Sequence, residues 1–284
     1  MMALSNTKVR IVTAAVVAPF AMLCFINYYS ALGLVSTVVM LATFEYLAFS
    51  LKKEEIPALR LAICAVVVLS TIFYGLILAK MGTAVDPSFR PELVFVMSLI
   101  TISALTLAGV SDISKAKLFI TNGAFSLIYI SFNLSFFFPI YIQFGGFIAL
   151  TGLMAVWVFD IGAFFVGCKL GRIRISPAYS PKKSLEGAVG GYIFTLLFMV
   201  LFVRIGSWLG LYDSSAFGLS DLAILALVIS LFGTLGDVTE SALKRFHGVK
   251  DSGDTLPGHG GMLDRIDGLL FVTPVFYVFL NILS

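Results

Sequence analysis

Charge is scarce in this chain: 12% of its 284 residues are Asp, Glu, Lys or Arg, where a soluble domain carries about 25%. That shortage excludes a water-covered globule, because the polar surface is about half of what water would require. Cysteine is scarce as well. Cys24 and Cys64 lie in apolar runs and Cys168 ends another, and no pair has the spacing of a disulfide or a zinc site. The chain shows no internal repeat, and no soluble domain fits between its apolar runs.

What is abundant is apolar residue: 59% of the chain, with a mean hydropathy of +1.02. The apolar runs are continuous and of spanning length, which selects membrane helices over a barrel of alternating strands. The expected fold is an all-α integral membrane protein, a polytopic bundle of about nine transmembrane helices at roughly 9–28, 31–50, 58–79, 92–110, 117–138, 142–167, 188–209, 220–238 and 266–283. The first run follows Lys8 and Arg10 as in a signal peptide, but it is long and lacks a small-x-small cleavage site, so it reads as a retained span. Two regions are expected: an N-terminal scaffold of spans (1–150) and a C-terminal region (151–284) with two long polar loops, the candidate for the functional part.

Topology follows from the basic residues. With a cytoplasmic N-terminus, nine spans place 16 of the 19 lysines and arginines inside, leaving Lys80, Arg90 and Arg204 outside. The expected location is a cytoplasmic (inner) membrane, with the long polar loops Cys168–Gly187 and Thr239–Arg265 on the nucleotide-containing side.

Acids at membrane depth are costly and mark function. Asp160 is flanked by apolar residues. Asp237 and Glu240 lie three apart after an apolar run, and Asp264 and Asp267 repeat that spacing where the last run begins; residues three apart share a helix face. Carboxylates at two helix ends joined by a cytoplasmic loop suit a divalent cation such as Mg2+. The plain alternative is that each acid pairs with a base such as Lys244, Arg245 or Arg265. Glu45, a lone acid near a cytoplasmic end, reads as a structural or interfacial charge.

The segment Ser241–Asp267 combines Lys244, Arg245, Lys250 and Arg265 with five glycines and Pro257. Such a loop suits a polyanion: glycines allow close backbone approach, and cations neutralise phosphate. His259 stands between Gly258 and Gly260, and His247 reads as a loop residue. The other polar loop carries Ser180-Pro181-Lys182-Lys183 and Glu186, fitting either phosphate capture or an ordinary basic flank at lipid headgroups.

Ser241, Lys244-Arg245, Lys250-Asp251, Gly253, Leu256-Pro257, His259-Gly260-Gly261, Asp264-Arg265 and Asp267 together resemble the signature of the phosphatidate cytidylyltransferase (CDP-diacylglycerol synthase) family. Ser180 to Lys183 with Glu186-Gly187 resembles its second motif, and Asp160 with Gly162-Ala163 and Gly167 a third. The chain departs from the family at Ser184-Leu185, where threonine-tryptophan is usual, and at Phe164, where tyrosine is usual.

The resemblance implies condensation of CTP with phosphatidic acid to CDP-diacylglycerol and pyrophosphate. It implies a divalent metal, Mg2+ or a similar ion with room for a second, held by Asp237 and Asp264, with Asp267, Glu240 and Asp160 completing the shell. The implied catalytic set adds Lys244, Arg245, Lys250, Asp251, His259 and Arg265. Ser180, Lys182, Lys183, Glu186, Ser241, Gly260 and Gly261 are implied to bind substrate. Membrane lipids are partners, a homodimer is left open, and no nucleic acid is implied. Two rival readings are a CTP-dependent kinase of a polyprenol or other lipid alcohol, in which His259 would be the base, and an ion-coupled transporter. The transporter lacks support from repeats or broken helices in the sequence.

Overall fold

A computed structural model describes residues 2–51, 56–82, 90–211, 217–258 and 260–283, with side chains from residue 12 onward. The chain is an all-α membrane protein: among the described residues, six helices are long and apolar enough to cross a bilayer, and Val12–Cys24 and Leu93–Gly109 are shorter apolar helices. It divides into two compact units, Met1–Gln143 with Asp251–Arg265, and Phe144–Lys250 with Ile266–Ser284.

The first unit contains α1 (Met2–Cys24), α2 (Tyr28–Ser50), α3 (Pro57–Met81), α4 (Leu93–Gly109) and α5 (Ile113–Ser126), a π-helical turn (Leu127–Phe132) and the short α6 (Asn133–Ser135). Local chemistry sets the helix starts. Asn27 accepts from the Tyr29 N–H ahead of α2, Pro57 opens α3, and Asp112 accepts from the Ser114 and Lys115 N–H groups ahead of α5. Inside, the buried hydroxyls of Ser70, Thr71 and Ser131 bond one another at 3.0 and 2.7 Å. Ser131 also donates to the Val67 carbonyl at 3.2 Å. Without water, such groups need partners of this kind.

The long helix α7 (Phe137–Leu170) bends at Gly145, whose φ of 85° only glycine adopts readily. The second unit holds the rest of α7, a hairpin of β1 (Arg174–Ser176) and β2 (Ser180–Ser184), α8 (Leu185–Trp208), α9 (Leu219–Phe246) and most of α10 (Leu263–Leu283). The strands pair antiparallel, Arg174 with Ser184 and Ser176 with Ser180. Ser184 then caps α8 by accepting from the Gly187 N–H at 3.2 Å. The helices pack through glycines, as membrane helices do where side chains must be absent for close contact. A Cβ on Gly191 would lie 2.5 Å from the Phe159 ring, and one on Gly190 would lie 2.4 Å from Val166.

Candidate active site

The second unit builds an acidic cluster on another of these contacts. A Cβ on Gly236 of α9 would lie 2.3 Å from the carbonyl oxygen of Asp267 and 3.1 Å from the Gly268 Cα on α10. Gly268 in turn lies against Gly233, one turn back along α9. The residues next to these glycines are thereby drawn together. Asp237, Asp160 and Glu240 act on Asp267 as neighbouring like charges. Lys183 of β2 ion-pairs Asp237, and Lys244 Nζ lies 2.5 Å from Glu240 Oε2 one turn along α9. Glu240 is buried, Asp237 and Asp267 are half-buried, and Asp160 is exposed.

Gly236→Ala is therefore expected to force α9 and α10 apart, because backbone atoms cannot yield as a flexible side chain can. A loss of about 1–3 kcal/mol is expected, read as a lowered Tm in detergent. Gly33→Ala is the control, since nothing lies within 4 Å of its added methyl.

The β1–β2 hairpin is tied by a different acid. Glu186 accepts from the Arg172 N–H at 3.0 Å and the Ile173 N–H at 3.2 Å. The Arg174 guanidinium donates to the Lys182 carbonyl at 3.0 Å. These contacts turn Lys183 toward Asp237, while Lys182 stays exposed. Ser180 begins β2, half-buried.

In the first unit, the loop Asp251–Arg265 closes on itself and on α2. Asp264 Oδ2 accepts from the Ser252 N–H at 3.0 Å, the Ser252 hydroxyl at 3.0 Å and the Gly261 N–H at 2.9 Å. The Leu256 N–H donates to the Gly260 carbonyl at 2.9 Å. Gly258 and Gly260 have φ of 76° and 82°, the left-handed region in which a Cβ is strained. His259, between them, lies outside the described residues.

Buried Glu45 of α2 receives four donors from this loop, one of them the same Ser252 hydroxyl. The Ser252 hydroxyl and the Leu263 N–H reach Oε2 at 2.9 Å each. The Met262 N–H reaches Oε1 at 2.8 Å, and the Thr255 hydroxyl also donates to Oε1.

Of the remaining expected residues, Ser241 is half-buried in α9, and Lys250, Asp251 and Arg265 are exposed. Arg245 donates to the Val249 carbonyl at 3.1 Å. His247 caps the C-terminus of α9, and partial burial holds its imidazole below the usual pKa. Asp237 and Asp264 belong to different units. Glu45 as the anchor of the loop, and Ser252 and Thr255 as its partners, escape a reading of the sequence. The available signal was an acid inside an apolar run, but its partners lie 207 or more residues away.

A helical membrane protein with an acid–lysine cluster in one unit and a glycine-shaped polar loop in the other is of the class of membrane-embedded enzymes that handle phosphates. The chain belongs to the Cytidylyltransferase family, which it matches over residues 8–283. It is 42% identical to the phosphatidate cytidylyltransferase of Thermotoga maritima over 283 residues, covering 99% of this chain and 98% of that protein. The phosphatidate cytidylyltransferase of Bacillus subtilis is 43% identical over 131 residues, 46% of each chain. That of Staphylococcus aureus is 35% identical over 197 residues, 66% of this chain and 70% of the relative.

Proposed function

We infer that this chain condenses CTP with phosphatidic acid, giving CDP-diacylglycerol and pyrophosphate for phospholipid synthesis. The observation that carries the reading is its full-length similarity to a phosphatidate cytidylyltransferase. The acids, lysines and phosphate-suited loop supply the chemistry. A lipid phosphate oxygen attacks the α-phosphorus of CTP, a new P–O bond forms, and the bond to the β-phosphate oxygen breaks to release pyrophosphate. Because the second pKa of a phosphate monoester is about 6, the nucleophile is already ionised near pH 7 and needs no strong base. The obstacle is repulsion between two anions. Lys183, Lys244, Arg245, Lys250 and Arg265 are proposed to hold the phosphates and offset it.

A divalent metal, taken as Mg2+, belongs to this proposal. Among the described residues no three His, Cys, Asp or Glu side chains converge to coordinate an ion by themselves. The donor chemistry nevertheless fits magnesium, which takes one or two carboxylates and fills its shell with water and substrate phosphate. Asp237 and Asp267, within a group of like charges, would hold it, with Glu240 and Asp160 beside them. When bound, the ion would supply charge stabilisation at the phosphoryl oxygens. We propose further that Asp264 shares this ion with Asp237, as the family resemblance implies.

The test is purified protein with labelled CTP, Mg2+ and a panel of acceptors. CDP-diacylglycerol formed from phosphatidate supports the reading; label passing only to a polyprenol or other lipid alcohol overturns it. A homodimer is also proposed, to be read from the mass of the protein in detergent.

The proposal includes nine crossings, a cytoplasmic N-terminus and a cytoplasmic-membrane location. Its support is the double-length helical stretch Ile113–Leu170, 58 residues, and the two shorter apolar helices beside the other long ones. The 16-to-3 basic bias adds the orientation. A single cysteine placed at position 284, in a background without Cys24, Cys64 and Cys168, is expected to react with a membrane-impermeant reagent only from the non-cytoplasmic side.

A further inference from the structure

We propose that Glu45 is a positioning residue for the loop Asp251–Arg265, and through it for Asp264, in the reaction proposed above. It lies on α2, more than 200 residues from the loop, and it is 4% exposed. Both of its oxygens are occupied by the loop: Oε2 by Ser252 and Leu263, Oε1 by Thr255 and Met262. Ser252 links the two acids directly, because its hydroxyl lies 2.9 Å from Glu45 Oε2 and 3.0 Å from Asp264 Oδ2. The one hydroxyl thus lies within hydrogen-bond reach of both carboxylates, which is the link through which Glu45 is proposed to position Asp264.

The loop's own sequence is shaped to this contact. A Cβ on Gly261 would lie 2.0 Å from Ser252 Oγ and 2.5 Å from Glu45 Oε2, and one on Gly253 would lie 3.0 Å from the Glu45 carboxylate carbon. Two signature glycines are therefore small because Glu45 must come close, and not only to admit a phosphate. The first turn of α10 opens with its Leu263 N–H on Glu45. An anionic acceptor at that point satisfies one of the open donors of a helix start. Asp264 follows immediately, so the carboxylate that fixes Leu263 also fixes the backbone from which Asp264 projects.

The experiment compares Glu45→Gln, Glu45→Asp and Ser252→Ala with the full-length wild type in detergent. Three quantities are read: Tm, kcat and KM for CTP, and hydrogen exchange at the Met262 and Leu263 amides. Glutamine keeps the shape but puts an NH2 where one oxygen accepted a bond, and aspartate is one methylene too short. Glu45→Gln is expected to lower kcat at least 30-fold with KM for CTP within about threefold. It is also expected to speed exchange at those two amides at least tenfold while Tm moves by only a few degrees. Ser252→Ala, which removes the shared hydroxyl and leaves Glu45 in place, is expected to give a smaller fall in kcat in the same direction.

Near-wild-type kcat in Glu45→Gln overturns the proposal. So does activity that falls only in proportion to folded protein, because a purely structural acid would do that without changing kcat per folded molecule. If Glu45→Gln does not fold, unchanged kcat and amide exchange in Ser252→Ala overturns it. The amide exchange does not depend on turnover, so an inactive wild type would sink the proposed reaction and leave this contact separately readable.

Discussion

Asparagine in place of Asp237 is expected to lower turnover about 10³-fold, roughly 4 kcal/mol of transition-state stabilisation, with residual activity that needs more Mg2+. The substitution keeps the side chain's shape and removes its charge. It removes that charge from a group in which Asp267 is surrounded by Asp237, Asp160 and Glu240. Like charges grouped at membrane depth are expensive unless cations offset them, and Asp237 and Glu240 each pair with a lysine. A fall in activity alone would not identify the role, since Asp237→Asn also releases Lys183. The magnesium titration separates the two effects. A lost ligand shifts the half-saturating magnesium concentration upward, whereas a released lysine lowers the plateau without shifting the midpoint. Asp267→Asn is expected to behave as Asp237→Asn does, and Asp264→Asn run in parallel tests whether that residue shares the metal role. Near-normal turnover of Asp237→Asn at low magnesium would remove this residue from the metal site.

The sequence showed the membrane class, the acids and the loop because each depends on neighbouring residues. Less visible was anything that depends on partners distant in the chain. The apolar run at 220–238 is followed by polar residues, yet α9 continues to Phe246. Glu240 and Lys244, one turn apart, pair along its side and support that extension. The runs at 117–138 and 142–167 read as separate spans, while the structure carries helix through Ile113–Leu170 by way of a π turn and the bend at Gly145. Between Cys168 and Gly187 the sequence showed only a basic, polar connection. Its hairpin depends on Glu186 reaching back to two backbone N–H groups and on Arg174 reaching across to a carbonyl. No periodicity announces such bonds. Glu45 is the clearest case: as a structural charge it was legible, but the loop it holds was not.

The two adjacent lysines of the hairpin, identical in a reading of composition, are expected to differ sharply in function. Lys183→Gln is expected to lower kcat/KM about 10- to 150-fold, corresponding to about 1.5–3 kcal/mol for a charged hydrogen bond. Lys182→Gln is expected to stay within about threefold. Strand alternation is the cause: successive residues of β2 point to opposite faces, so Lys183 reaches Asp237 while Lys182 remains exposed. If Lys183 serves substrate phosphate by way of its place beside Asp237, the two residues act as a unit. Lys183→Gln combined with Asp237→Asn should then cost much less than the product of the single effects, since residues sharing one network are non-additive. Equal effects of the two lysines would instead mark a general basic flank that touches lipid headgroups. In that case raising the salt concentration should weaken the wild type and both variants alike, because exposed charges are screened within about 10 Å at 0.1 M ionic strength. A Lys183 effect that persists at high salt, while any Lys182 effect disappears, places only Lys183 in the chemistry.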